Sequence, residues 1–159
     1  MAKVVKDLIE FEWPSKPIPE FSSPISAFKE FNIQDTLEIP EAKPDIEQLV
    51  SVKSKLVLHS TKVIKTPKAQ SLERQTLTGW KLIIEAELKH VIRYVADEPS
   101  QKVHGVHFNI PFSTFIVLPP DFDENSCLSI ESYIEDIYAC QISKRGIFTN
   151  TTLLMVWPG

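Results

Sequence analysis

The run Leu77 to Pro119, LTGWKLIIEAELKHVIRYVADEPSQKVHGVHFNIPFSTFIVLP, decides the fold. Within it Leu82, Ile84, Ala86 and Leu88 alternate with Glu85, Glu87 and Lys89, the period of two that an antiparallel strand shows when one face is buried and the other wet. Asp97, Glu98, Pro99 and Ser100 then supply turn chemistry. Val103, Val106, Phe108 and Ile110 predict a return strand ending at Pro111, and Phe115 to Leu118 a further short strand closed by Pro119 and Pro120.

The same texture extends in both directions. Leu128 to Ile142 and Ile147 to Trp157 read as two strands, and the length and glycine of Ser143 to Gly146 fit a hairpin between them. Upstream, Val52, Leu56 and Leu58 alternate imperfectly with lysines, as in a strand partly covered on both faces. Asp45 is placed to cap a short helical turn through Leu49, and the polar stretch Thr66 to Thr76, with Pro67, reads as a loop. The sum is an all-β fold, an antiparallel β-sandwich or open barrel of about seven strands, with an extended N-terminal arm.

That arm is set apart by composition. Residues 1–45 hold six of the twelve prolines, and nine acids against five lysines, so the whole formal charge of -4 lies there. The expected division is an acidic, Pro-rich arm over 1–45, with a possible donor strand at 4–13, and a β domain over 46–159. Large apolar groups are rarely left in water by a flexible linker, and this arm carries Phe11, Trp13, Phe21, Phe28 and Phe31. Ile9, Phe11 and Trp13 alternate with Glu10 and Glu12, giving one apolar and one acidic strand face before Pro14. A strand followed by a Pro-rich spacer is what donation to a neighbour's sheet edge requires, so Ile9, Phe11, Trp13, Phe21, Phe28 and Phe31 are the candidate subunit contacts. The arm is equally able to fold back and cover an edge of its own sheet.

Composition excludes several classes. With 43% hydrophobic and 24% charged residues the chain matches ordinary globular proteins. No block of Lys or Arg appears, so nucleic acid is not an expected partner. Charges at Lys3, Lys6, Asp7, Glu10 and Glu12 interrupt the N-terminus before a signal-peptide core forms, and no segment reaches the ~20 apolar residues of a membrane span. Synthesis in the cytoplasm without a signal peptide is expected.

Constellations for chemistry are weak. His90, His104 and His107 suggest a metal site, yet positions three apart on a strand face opposite sides, so His104 and His107 would need a bulge at Gly105 to share an ion. Glu85 and Glu87 resemble a carboxylate pair, but the wet face of any half-buried strand produces them. Ser113 and Thr114 lack a nucleophile-elbow context, and no glycine-rich phosphate loop is present. No enzyme activity, cofactor or metal is expected. Cys127 and Cys140 lie 13 positions apart on one extended segment, roughly 43 Å if straight at ~3.3 Å per residue, too far for a bridge. They are small core residues or crosslinks between molecules.

Six blocks resemble a known family, the SPOCS domain of spore-coat-associated proteins from endospore-forming bacteria. They are PDIEQLVSV (44–52), TKVIKTP (61–67), LTGWKLIIEAEL (77–88), YVADEPSQKVH (94–104), FNIPFSTFIVLP (108–119) and IEDIYACQI (134–142). The resemblance implies a β-rich module connected with spore-coat assembly, in a family whose larger members also bear a LysM domain. The expected function is a self-assembling structural subunit of the spore coat or spore surface, a layer or fibre, with itself and other coat proteins as partners. The alternatives are a monomeric adaptor for a coat morphogenetic protein, and a carbohydrate-binding β-sandwich with Trp80 and Trp157 as platforms.

Overall fold

The computed structural model describes residues 2–14, 27–126 and 128–159. Its strands, in chain order, are β1 (Ala2–Lys6), β2 (Ile9–Trp13), β3 (Ala27–Glu38), β4 (Ile46–Gln70), β5 (Thr76–Ala96), β6 (Val103–Val117), β7 (Glu131–Gln141) and β8 (Gly146–Trp157). They form a five-stranded sheet, β1-β2-β4-β5-β6, and a three-stranded sheet, β3-β8-β7. Neither closes on itself, so the architecture is a β-sandwich and not a barrel.

The even residues of β5, Leu82 to Ala96, face inward, where they meet the odd residues of β8, from Ile147 to Trp157. Removing each such aliphatic or aromatic side chain from water contributes about 1.5–3 kcal/mol, so this alternation is the main determinant of which face becomes core. The expected β5–β6 hairpin forms, and so does the β7–β8 hairpin across Ser143 to Gly146.

Several expectations are corrected. β6 runs unbroken from Val103 to Val117 through Pro111, which lies opposite Glu87. This strand is the outermost of its sheet, so the missing N–H of Pro111 faces away from β5 and costs no ladder bond. β4 continues through the expected loop to Gln70, because a register shift between Lys65 and Lys68 absorbs Pro67. No helical turn follows Asp45; β4 begins at Ile46.

The N-terminal region departs furthest from expectation. The single strand predicted over 4–13 turns back at Asp7 and Leu8, so β1 pairs antiparallel with β2, and β2 pairs parallel with β4 through Phe11 and Val52. β3 pairs with β8 in twelve consecutive register positions, Ala27 to Glu38. Residue 45 therefore does not divide an arm from a domain: residues 1–45 supply three strands of the sandwich itself. The physical reason is local, since no proline lies between Pro24 and Pro40, and Phe31, Ile33 and Leu37 alternate along that stretch.

Candidate functional site

Ile9, Phe11 and Trp13, expected as subunit contacts, are 6%, 0% and 5% exposed and belong to the chain's own core beside Leu49, Val52 and Ile137. Phe31 is half-buried and meets the Phe112 ring edge-on at 5.9 Å. Phe28 is 59% exposed, and Phe21 lies outside the described residues. What remains on the surface at this end is β1, with Val4 and Val5 exposed and Leu8 at the turn 85% exposed. Lys3 pairs with Glu10 at 3.0 Å, and Lys6 reaches Asp136 on β7 at 2.5 Å and the Ile137 carbonyl at 3.1 Å.

Of the two candidate crosslinks, Cys127 lies outside the described residues. Cys140 is a free, half-buried thiol on β7. The hydroxyl of neighbouring Tyr138 is pushed above the usual tyrosine range, first by its hydrogen bond with Cys140 and then by charge repulsion from the same group.

The histidines do not converge. His90 is buried, and its Nδ1 shares a 2.5 Å hydrogen bond with Ser54 Oγ across the β4–β5 ladder. Its Nε2 has no partner among the described residues, and burial pulls the imidazole down to about 4. His104 stacks on Tyr94 at 5.8 Å, whereas His107 points to the opposite, exposed face. No group of three metal-ligating side chains occurs among the described residues. Glu85 accepts a hydrogen bond from Ser60 at 3.0 Å, and Glu87 pairs with His59 at 2.7 Å, so both carboxylates are engaged on the wet face of β5.

Trp80 and Trp157 are not open platforms. Phe122 packs between them, with ring centres 5.6 Å and 5.5 Å away. These edge-to-face contacts tie both tryptophans to one core cluster, and the carbohydrate-binding alternative loses the two rings on which it was based.

One surface feature was not legible in sequence. An open groove of about 470 Å³ lies between the β4–β5 tip and the end of β6, lined by Ala69, Leu77, Phe115 and Val117. Phe115 carries two ammoniums over its ring, Lys29 Nζ at 4.0 Å and Lys81 Nζ at 4.3 Å from the ring centre. Burial, then repulsion from Lys81, pulls Lys29 below the usual lysine range. Two like charges held over one ring favour an anionic neighbour. Only the pairing of β3 with β8 brings Lys29 here, so no local spacing announces the site.

The fold and these surfaces define a two-sheet β module with exposed outer strands. The family described as SipL, SPOCS domain matches residues 45–142, more than half of the chain, and the chain belongs to that family. Membership links it to sporulation. The matched residues span β4 to β7, leaving β1 to β3 and β8 outside. No curated protein and no solved structure matches the chain. No helix among the described residues is long and apolar enough to cross a membrane.

Proposed function

We propose that the chain is a non-catalytic, self-associating structural subunit of the spore coat or spore surface, joined to its neighbours through the N-terminal strands. The family supplies the sporulation context. The observation that carries self-association is β1, an outermost strand with Val4 and Val5 37% and 65% exposed and its outer edge unpaired among the described residues. Such an edge presents main-chain donors and acceptors ready for another chain. Because Ile9, Phe11 and Trp13 fill the chain's own core, association falls to Ala2–Lys6 and not to the whole expected arm.

Negative-stain electron microscopy of the full chain beside a variant lacking residues 1–6 tests this reading. Oligomers, rings or filaments from the full chain that disappear in the truncation are expected; monodisperse monomers from both would overturn it. That second outcome favours the adaptor reading. Its supporting observation is the groove at Phe115, where an acidic residue next to an apolar one on a coat partner would meet Lys29, Lys81 and the ring.

A further inference from the structure

The turn between β1 and β2 is strained. Asp7 and Leu8 have φ of 51° and 66°, the left-handed values that both positions of a two-residue primed hairpin turn demand. Asn-Gly or Asp-Gly meets that demand at low cost; leucine does not, because its Cβ crowds the backbone there. Leu8 is 85% exposed, so no packing of its side chain offsets the strain.

β1 offers little to hold the turn closed. Among the described residues its backbone neighbours β2 alone, Lys6 reaches Asp136 and the Ile137 carbonyl on β7, and its side chains are exposed or half-buried. The apolar residues that anchor this corner, Ile9, Phe11 and Trp13, all belong to β2. β1 is therefore held by five register pairs, by Lys3–Glu10, by Lys6 with Asp136, the Ile137 carbonyl and the Phe11 ring, and by Ala2 against the core. A second copy's β1 can make every one of these contacts identically, with Val4 opposite Phe11 and Lys3 opposite Glu12. Passing to a neighbour also lets Asp7 and Leu8 leave the left-handed region.

We propose that β1 is exchanged between two copies of this chain, with Asp7 and Leu8 as the hinge and β2 of the second copy as its acceptor. The proposal rests on the self-association reading and deepens it by naming the strand, the acceptor and the hinge. A short strained hinge drives exchange, whereas dilution favours the closed hairpin because its two strands are tethered. Exchange is therefore concentration-dependent.

Lys3 and Glu12 face each other across the β1–β2 ladder, so a disulfide between them reports which chain supplies β1. In a Cys127→Ser, Cys140→Ser background, chains carrying only Lys3→Cys are mixed at high concentration with chains carrying only Glu12→Cys, then oxidised. The double variant in one chain is the control for reach. A crosslink joining the two kinds of chain is expected. Independently, Asp7→Asn with Leu8→Gly, which relaxes the turn, is expected to lower the ratio of dimer to monomer by about tenfold or more in sedimentation. A control that crosslinks while the mixture does not, or a dimer fraction unmoved by the relaxed turn, overturns the exchange. Oligomers that persist without the crosslink sink the exchange and leave self-association standing. Monomers alone, at every concentration, sink both.

Discussion

Arg145 is the single residue with the most conspicuous set of polar contacts. It sits in the β7–β8 turn, where Nη1 donates to Asp45 Oδ1 at 2.8 Å. Nη2 lies 3.1, 2.7 and 3.0 Å from the carbonyls of Ile39, Pro40 and Lys43. Nη2, with two N–H bonds, is thus shared among three main-chain acceptors of the loop between β3 and β4, where Pro40 and Pro44 supply no N–H and the only main-chain hydrogen bond within the loop is Lys43 N–H to the Pro40 carbonyl at 2.9 Å. Tyr94 donates a further hydrogen bond to the Pro44 carbonyl at 2.8 Å. Lysine keeps the charge but cannot present the fork, so Arg145→Lys is expected to cost about 1–2 kcal/mol and Arg145→Ala about 2–3 kcal/mol. Urea unfolding of the three proteins measures this; equal midpoints for wild type and Arg145→Ala would refute the latch.

At the scale of elements, β4 and β5 outrun the rest of their sheet, and their distal halves meet where Pro67 and Gly79 fall. Gly79 has φ of 101°, outside the reach of ordinary side chains, and a Cβ there would come within 3.3 Å of Lys68 Cε. The register skips from Lys65–Trp80 to Lys68–Thr78, so Gly79 lies on the β5 side of the bulge that accommodates Pro67. Gly79→Ala is expected to lower stability by about 1 kcal/mol or more. It should also raise hydrogen-exchange rates in 65–80 more than in 82–96; uniform protection would refute the local account. Elements with strict alternation, such as Leu82 to Leu88, were legible because burial follows the pleat. Pro67 and Pro111 signal breaks in sequence but lie within strands, since edge position and bulges are tertiary facts. β3 was lost among flanking prolines although Phe31, Ile33 and Leu37 marked it. The β1–β2 turn carried no glycine signal, which is why one strand was expected where two occur.

At the scale of the whole molecule, two titrating groups act on stability in opposite directions across one pH window. His90 lies inside the sandwich, and burial holds it at about 4 against an ordinary 6.5. The unfolded chain takes up that proton first, so stability is lost as pH falls from about 6.5 toward 4, by on the order of 3 kcal/mol. Glu135 on β7 is pushed up to about 7 from 4.5, first by burial and then by its hydrogen bond and repulsion with Glu30. Here the folded chain holds the proton longer, so stability is lost as pH rises from about 4.5 to 7. One carboxyl oxygen of Glu135 is enclosed but the residue as a whole is half-buried, so solvent screening holds its share to less than about 1 kcal/mol. His90 therefore dominates, and the wild-type protein is expected to lose stability on acidification with a slope blunted by Glu135. Glu135→Gln removes the blunting and steepens the acid loss. His90→Phe with Ser54→Ala, which deletes both partners of the buried hydrogen bond, reverses the sign, leaving a shallow rise in stability on acidification over that window. Thermal unfolding at half-unit steps from pH 4.5 to 7.5 reads the three slopes, and a variant lacking His90 that still loses stability steeply on acidification would show that another group governs the acid limb.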